Sequence, residues 1–150
     1  APWLTQAYYK ETTRSEELWR DGWLHTGDVA TLDERGFLQI RDRIKDVIKT
    51  GGEWVSSLEL ENLIAQCPGV AEVAVIGVPD EQWGERPAAL VVPTDLNAPP
   101  TSDEILAFLK RFVSEGQINR WALPSTVRCV DEIPKTSVGK LDKKRIRQEA

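Results

Sequence analysis

Two apolar runs lie in residues 70–92, VAEVAVIGVPDEQWGERPAALVV. The first, residues 70–78, is rich in valine and isoleucine, and the second, residues 88–92, follows Pro87. Short runs of this composition, bounded by Pro and Gly, are typical of buried strands. The stretch therefore predicts two buried strands, and it decides the fold because the other elements must cover them.

A helix, a strand and a second helix are predicted after this pair of strands. Thr101 with Glu104 has the spacing of a capping box, and apolar residues then recur at helical spacing as far as Val113. A third strand is predicted at residues 125–130 and a final helix at residues 143–149. This order predicts an α+β fold in which helices pack on a small three-stranded sheet.

A β-hairpin and a further helix are predicted before the pair. Gly51-Gly52 separates the strand patterns of residues 44–50 and 53–55, which predicts a tight reversal of the chain. Ser56 then begins a capping-box pattern with an apolar helical stripe behind it, and Cys67-Pro68-Gly69 ends that helix.

Another hairpin is predicted in residues 29–40, with Gly36 in its turn. The charged connector, residues 42–45, lies between the two hairpins. We therefore expect the chain to divide into two parts, residues 1–42 and residues 43–150.

The composition indicates an ordinary soluble protein. The 150 residues are 41% hydrophobic and carry a formal net charge of -5, which suits one domain or a domain with a piece of another. No run approaches the roughly 18 apolar residues of a membrane span, and no signal-peptide pattern opens the chain. We expect a cytoplasmic protein with no membrane span, and the mild acidity argues against nucleic acid as a partner.

Metal and disulfide chemistry have few candidate residues. Cys67 and Cys129 are too few and too far apart for a disulfide framework or a four-ligand zinc site, and His25 is the one histidine. We expect both cysteines to be reduced and structural, we assign no metal ligands, and we give His25 no catalytic role.

The most informative motif is residues 134–140, Pro-Lys-Thr-Ser-Val-Gly-Lys. It places Lys140 on a short Gly-containing turn before a basic stretch, which suits an anionic substrate; surface solvation of this lysine is the alternative. A nucleotide-triphosphatase phosphate loop is rejected. Pro134 stands where that loop has its first Gly, and Leu141 replaces the Ser or Thr that holds magnesium.

Two further blocks lie upstream, GWLHTGD at residues 22–28 and RDRIKDVIKTGGE at residues 41–53. Together with residues 134–140 they resemble the C-terminal portion of the acyl-CoA synthetases, within the adenylate-forming superfamily that also contains luciferase and peptide-synthetase adenylation domains. The resemblance covers nearly the whole chain, and residues 51–57 are most similar to medium- and long-chain fatty-acid ligases. It implies a fatty-acid:CoA ligase that makes an acyl-adenylate from a carboxylic acid, ATP and Mg²⁺, then transfers the acyl group to coenzyme A.

The resemblance implies a nucleotide site and a hinge. Asp28 would accept hydrogen bonds from the ribose hydroxyls of ATP, and Arg43 would reach the ribose or the phosphates. Turn capping by Asp28, and an exposed ion pair of Arg43 with Asp42 or Asp46, are the alternatives. Lys45 falls at the hinge position, whose backbone torsions change when the small domain swings between the two half-reactions.

The resemblance also implies two catalytic lysines and a tunnel for coenzyme A. Lys140 would bridge the fatty-acid carboxylate and the α-phosphate during adenylation. Lys49 matches a lysine implicated in the second half-reaction of some relatives, with a solvated strand residue as the alternative. Gly51 and Gly52 match glycines that line the pantetheine tunnel, and Trp54 is a candidate tunnel wall, with core packing as the alternative.

The parts of such an enzyme that hold adenine, the phosphates and the acyl chain are not in this sequence, which also contains no Met. We interpret the chain as a fragment: residues 1–42 end a large N-terminal domain, and residues 43–150 form its mobile lid. We expect the fragment alone to be inactive, with no cofactor bound. Its partners would be its own N-terminal domain, a fatty acid, ATP and coenzyme A. A ligase for aryl or short branched acids, and a free-standing non-catalytic interaction module, are the alternatives.

Overall fold

A computed structural model describes residues 3–149, and the chain divides into two compact units, Ala1–Ile44 and Lys45–Ala150. The sequence placed a division between residues 42 and 43, whereas the two compact units part between Ile44 and Lys45. Within the described range, no helix is both long and apolar enough to cross a bilayer.

The first unit is a short helix followed by a hairpin. Its elements are α1 (Thr12–Leu18), a 3₁₀ turn (Arg20–Gly22), and the antiparallel strands β1 (Asp28–Leu32) and β2 (Leu38–Arg43). In the hairpin turn, Asp33 Oδ1 accepts hydrogen bonds from the backbone N–H groups of Arg35 and Phe37. The predicted hairpin is therefore present, and a side-chain oxygen organises its turn.

This first unit buries little apolar surface. Among its described residues, Leu18 is the one hydrophobic side chain that is buried. Large apolar side chains along the hairpin are more than half exposed, namely Leu32, Phe37, Leu38 and Ile40. Because hydrophobic stabilisation scales with the apolar area removed from water, the unit has little core of its own.

The second unit contains a five-stranded sheet. Its strands are β3 (Ile48–Thr50), β4 (Glu53–Val55), β5 (Val70–Asp80), β6 (Gly84–Pro93) and β7 (Thr126–Cys129). β6 pairs antiparallel with β5 and parallel with β7, which gives the three strands predicted from the sequence. The β3–β4 hairpin joins them through the pair Thr50 and Gly84, so the observed sheet is larger than the predicted one.

Helices cover both faces of this sheet, and they are α2 (Ser57–Ile64), α3 (Ser102–Ser114) and α4 (Lys143–Glu149). Val73 and Val75 of β5 lie in the core formed with α2 and α3. The intervening Ala74 and Ile76 lie in a second core with Ile146 of α4. Successive residues of a strand point to opposite faces of the sheet. The apolar run in β5 is therefore continuous because both faces of the sheet are buried there. The predicted α+β class is confirmed.

The two longer helices begin at the predicted caps. Ser56 Oγ accepts a hydrogen bond from the Glu59 N–H at 3.1 Å. At α3, Thr101 Oγ1 accepts from the Glu104 N–H at 3.2 Å, and the Glu104 carboxylate accepts from the Thr101 N–H at 2.7 Å. This reciprocal pair completes the capping box, and the bonds from the backbone N–H and hydroxyl of Thr101 lower the pKa of Glu104.

Candidate functional site

Residues 134–140, which we call the lysine turn, end two residues before α4. The Thr136 N–H donates to the Lys140 carbonyl at 2.7 Å, and the Lys140 N–H donates to Thr136 Oγ1 at 3.2 Å. Gly139 has φ +76°, a conformation that glycine adopts without a Cβ penalty. The backbone of Lys140 is therefore fixed by two hydrogen bonds, while the residue itself is exposed. The lysine turn presents an ammonium group outside the interior of its own unit.

Asp28 and Arg43 lie opposite each other on β1 and β2. Arg43 Nε contacts Asp28 Oδ1 at 2.9 Å, with 20% of the Asp28 side chain and 58% of the Arg43 side chain exposed. A carboxylate has about four lone-pair sites and a guanidinium has about five N–H donors. One contact between them leaves acceptors and donors for a ligand.

Gly51 and Gly52, which we call the glycine turn, join β3 to β4. Their φ angles are +59° and +86°, and successive positive φ values favour Gly-Gly in a two-residue hairpin loop. The Gly51 N–H donates to the Trp83 carbonyl at 2.9 Å, and a Cβ on Gly51 would lie 2.9 Å from Trp83 Cε3. A Cβ on Gly52 would meet nothing within 4 Å. Gly51 is therefore packed on Trp83, whereas Gly52 presents bare backbone to open space.

Lys49 and Trp54 are opposite each other on the β3–β4 hairpin. Lys49 Nζ lies 5.6 Å from the centroid of the Trp54 ring, and Trp54 is 61% exposed. A cation at this distance from the face of an indole is attracted by the ring quadrupole. Ile48 and Thr50, on either side of Lys49, are buried, so the pair projects from the solvent side of the hairpin. The alternative prediction, that Trp54 packs in the core, is therefore wrong, because this side chain is exposed.

Lys45 is the first residue of the second unit, and it is exposed. Its carbonyl accepts a hydrogen bond from Arg147 Nη2 at 3.3 Å. The next residue, Asp46, is buried, and its Oδ1 atom pairs with the same guanidinium nitrogen at 2.7 Å. The backbone that follows the unit boundary is therefore attached to α4.

Each unit contains some of the residues proposed from the sequence. Asp28 contacts Arg43 in the first unit; in the second unit, Lys49 and Trp54 flank the glycine turn, and Lys140 stands on the lysine turn. Among residues 3–149, no group of three or more His, Cys, Asp or Glu side chains is placed to hold a metal ion.

Sequence reasoning missed two residues that support these groups. Trp83 lies against the glycine turn, and the double glycine indicated exposed backbone without identifying the surface behind it. Arg147 binds Asp46 across 101 positions of sequence. A helix-terminal arginine in a basic tail carries no signal that identifies so distant a partner.

The AMP-binding enzyme C-terminal domain family matches residues 59–140, a segment that ends on the lysine turn and covers more than half of the chain. The chain belongs to this family. The resemblance to adenylate-forming enzymes that the three sequence motifs indicated is confirmed.

Relatives of this chain are named as CoA ligases. It is 44% identical over 147 residues to the 3-methylmercaptopropionyl-CoA ligase of Ruegeria lacuscaerulensis, covering 98% of this chain and 26% of that protein. It is 43% identical over 150 residues to the long-chain-fatty-acid-CoA ligase of Thermus thermophilus, covering 99% of this chain and 26% of that protein. The chain thus spans about a quarter of the length of these curated relatives.

A solved structure has the same fold. ATP-bound MatB from Rhodopseudomonas palustris matches with a TM-score of 0.85 at 35% identity, over 99% of this chain and 29% of that one. The chain therefore shares the fold of the corresponding part of a protein whose structure contains ATP.

Proposed function

We propose that this chain is part of an ATP-dependent fatty-acid:CoA ligase. In that reaction a carboxylate attacks the α-phosphorus of ATP to give an acyl-adenylate and pyrophosphate, and the thiol of coenzyme A then displaces AMP to give the acyl thioester. The observation that carries the proposal is the lysine turn, which holds the Lys140 backbone by two hydrogen bonds and leaves the residue exposed. The names of the relatives support a CoA ligase as the class of enzyme.

Lys140 would act by electrostatic stabilisation in the first half-reaction. When the carboxylate attacks, negative charge is redistributed over the α-phosphate and the leaving pyrophosphate. A preorganised ammonium group that contacts both the acid and the α-phosphate lowers the energy of that arrangement. Removing such a group costs about 3 to 4 kcal/mol of barrier, or about a hundred- to a thousandfold in rate.

Asp28 and Arg43 would bind the nucleotide as a preassembled pair. Their 2.9 Å contact orients the carboxylate before ATP arrives, which supports a role for Asp28 as acceptor for the two ribose hydroxyls. The exposed guanidinium of Arg43 keeps donors for the ribose or for a phosphate oxygen.

The glycine turn would admit the pantetheine arm of coenzyme A in the second half-reaction. Gly52 offers backbone with open space around it, and a thin, flexible arm can pass such a surface closely. Lys49 and Trp54 flank the turn on its exposed side, so we propose Trp54 as a wall of the tunnel and Lys49 as a catalytic group in this step.

Lys45 would be the hinge, since the two compact units part immediately before it. We propose that the first unit ends a large N-terminal domain and that the second unit forms the mobile lid. The exposed apolar side chains of the β1–β2 hairpin support this division, because a unit with little core of its own gains stability from further protein around it. The partner would be the N-terminal domain of the same protein.

The acid would be selected outside this domain. We propose a fatty acid because one relative is named as a long-chain-fatty-acid-CoA ligase. The relative named for 3-methylmercaptopropionyl-CoA favours a short acid as the second candidate. Mg²⁺ would enter with the phosphates of ATP, which are its usual ligands beside one or two carboxylates. We propose a cytoplasmic location.

The proposal is tested by measuring ATP–pyrophosphate exchange in the full-length protein with a panel of long-chain, short-chain and aryl acids. We expect exchange that depends on the acid, and thioester formation only when coenzyme A is added. The isolated chain of 150 residues should support neither reaction. A folded full-length protein that shows no acid-dependent exchange with any member of the panel would instead support a non-catalytic interaction module.

A further inference from the structure

The C-terminal helix α4 is attached to the rest of the second unit through three of its residues. Lys143 Nζ contacts Glu61 Oε1 and Ser57 Oγ of α2, each at 2.7 Å. Ile146 is buried in the second core, and Arg147 pairs with Asp46 at 2.7 Å. Lys143 and Arg147 lie one helical turn apart, so both charged contacts lie on the same face of α4.

Arg147 differs from Lys143 and Ile146 because its side chain also binds a backbone carbonyl. One nitrogen, Nη2, donates to the Lys45 carbonyl at 3.3 Å and to Asp46 Oδ1 at 2.7 Å. The Asp46 side chain is 11% exposed and that of Arg147 is 31% exposed, so the contact is largely shielded from water. The peptide plane between Lys45 and Asp46 is therefore fixed to α4, and the first backbone torsions outside this attachment are those of Lys45.

The same helix is continuous with the lysine turn. The Asp142 N–H donates to the Pro134 carbonyl at 2.8 Å, which ties the chain just after Lys140 to the beginning of the lysine turn. The Ile146 N–H donates to the Asp142 carbonyl at 3.0 Å, so Asp142, which precedes α4, bonds both to the lysine turn and to the first turn of the helix. A short, hydrogen-bonded path thus runs from Lys140 through α4 to the backbone at Lys45.

We propose that Arg147 is a positioning residue for the adenylation step. It fixes the backbone that follows Lys45 to the helix that carries the lysine turn, so that a rotation at Lys45 is transmitted to the Lys140 ammonium as a rigid-body movement. This inference rests on the proposed function, in which Lys45 is the hinge and Lys140 acts on the α-phosphate. Without the guanidinium, the position of the Lys140 ammonium relative to the α-phosphate would vary. A misplacement of about 1 Å can cost about a hundredfold in rate.

Arg145 provides a matched control on the same helix. It pairs with Glu149 at 2.7 Å, but both side chains are more than half exposed, and the pair lies within α4. An exposed ion pair of this kind contributes little to the stability of the protein. Arg145→Gln therefore removes the same charge from the same helix without releasing the backbone at Lys45.

The test is a double-mutant cycle in the full-length protein, with the rate of ATP–pyrophosphate exchange per correctly folded active site as the measurement. Arg147→Gln should lower exchange about tenfold to a hundredfold, whereas Arg145→Gln should leave it near the native value. If Arg147 acts through Lys140, Arg147→Gln should cause little further loss when Lys140→Ala is already present. Losses that multiply in the double variant would show a general structural role and overturn the proposal.

A second variant keeps the test valid if Arg147→Gln does not fold because Asp46 is left buried and unpaired. The combination of Asp46→Asn with Arg147→Gln leaves no unpaired charge, and the same non-additivity with Lys140→Ala is expected. Failure of the two proposals is distinguishable. Normal exchange in Lys140→Ala removes the role of Lys140, whereas impaired exchange in Lys140→Ala with native exchange in Arg147→Gln removes the positioning role alone.

Discussion

At the scale of single residues, the glycine turn shows how neighbours with similar backbone can have different constraints. Gly51 and Gly52 both have positive φ, so either replacement by an L-residue is strained. A Cβ on Gly51 would also approach Trp83 Cε3 to 2.9 Å, whereas one on Gly52 would enter open space. The conformation of the turn was readable from the Gly-Gly sequence, but the contact with Trp83 was not.

Gly51→Ala should therefore destabilise the protein more than Gly52→Ala. Each replacement costs about 1 to 2 kcal/mol for the left-handed conformation. Gly51→Ala adds an overpacking cost, typically about 1 to 3 kcal/mol. Urea denaturation of both variants measures the difference in unfolding free energy. Equal losses in the two variants would contradict the packing of Gly51 on Trp83.

A larger side chain at Gly52 should block the use of coenzyme A. We expect Gly52→Leu to retain ATP–pyrophosphate exchange but to lose thioester formation from a supplied acyl-adenylate, because the side chain would occupy the surface proposed for the pantetheine arm. Gly116→Leu is a matched control, since Gly116 also has positive φ and nothing within 4 Å of its Cβ position. Normal thioester formation in Gly52→Leu would exclude the tunnel.

At the scale of elements, local signals determined what the sequence could predict. The caps of α2 and α3 and the two hairpins depend on residues a few positions apart, and the structure confirms them. The joining of β3 to β6, and the binding of Arg147 to Asp46, depend on residues far apart in the chain. Pairings of that kind are set by the packing of the whole unit, so a single sequence does not indicate them.

The capping box of α3 predicts a dependence of stability on pH. Hydrogen bonds from the Thr101 N–H and hydroxyl lower the pKa of Glu104 from its ordinary value of 4.5. A carboxyl with a lowered folded-state pKa adds stability that is present above its unfolded-state pKa and is lost as the pH falls through the folded-state value.

The native protein should therefore be more stable than Glu104→Gln at pH 7, and the difference should shrink as the pH falls below about 4.5. Denaturation curves at a series of pH values measure this difference. Asp103→Asn changes a neighbouring acid in the same helical turn and serves as the control. A difference that stays constant down to low pH would exclude the contribution of the ionised cap.

At the scale of the whole molecule, the proposed chemistry is divided between the units. The first unit carries the Asp28–Arg43 pair, and the second carries the glycine turn and the lysine turn. The family could be inferred from three motifs in a fixed order, because each motif places functional residue types at characteristic spacing. The acid substrate could not be inferred, since relatives of nearly equal identity are named for very different acids.

The central claim is that one lysine serves adenylation and not thioester formation, and measuring both half-reactions in full-length Lys140→Ala tests it most directly. Lys135→Ala is the control, because Lys135 lies on the same turn but pairs with Glu72 at 2.8 Å. We predict that Lys140→Ala lowers ATP–pyrophosphate exchange about a hundred- to a thousandfold, with little change in thioester formation from supplied acyl-adenylate. Unchanged exchange, or equal loss of both half-reactions, would contradict the role of Lys140.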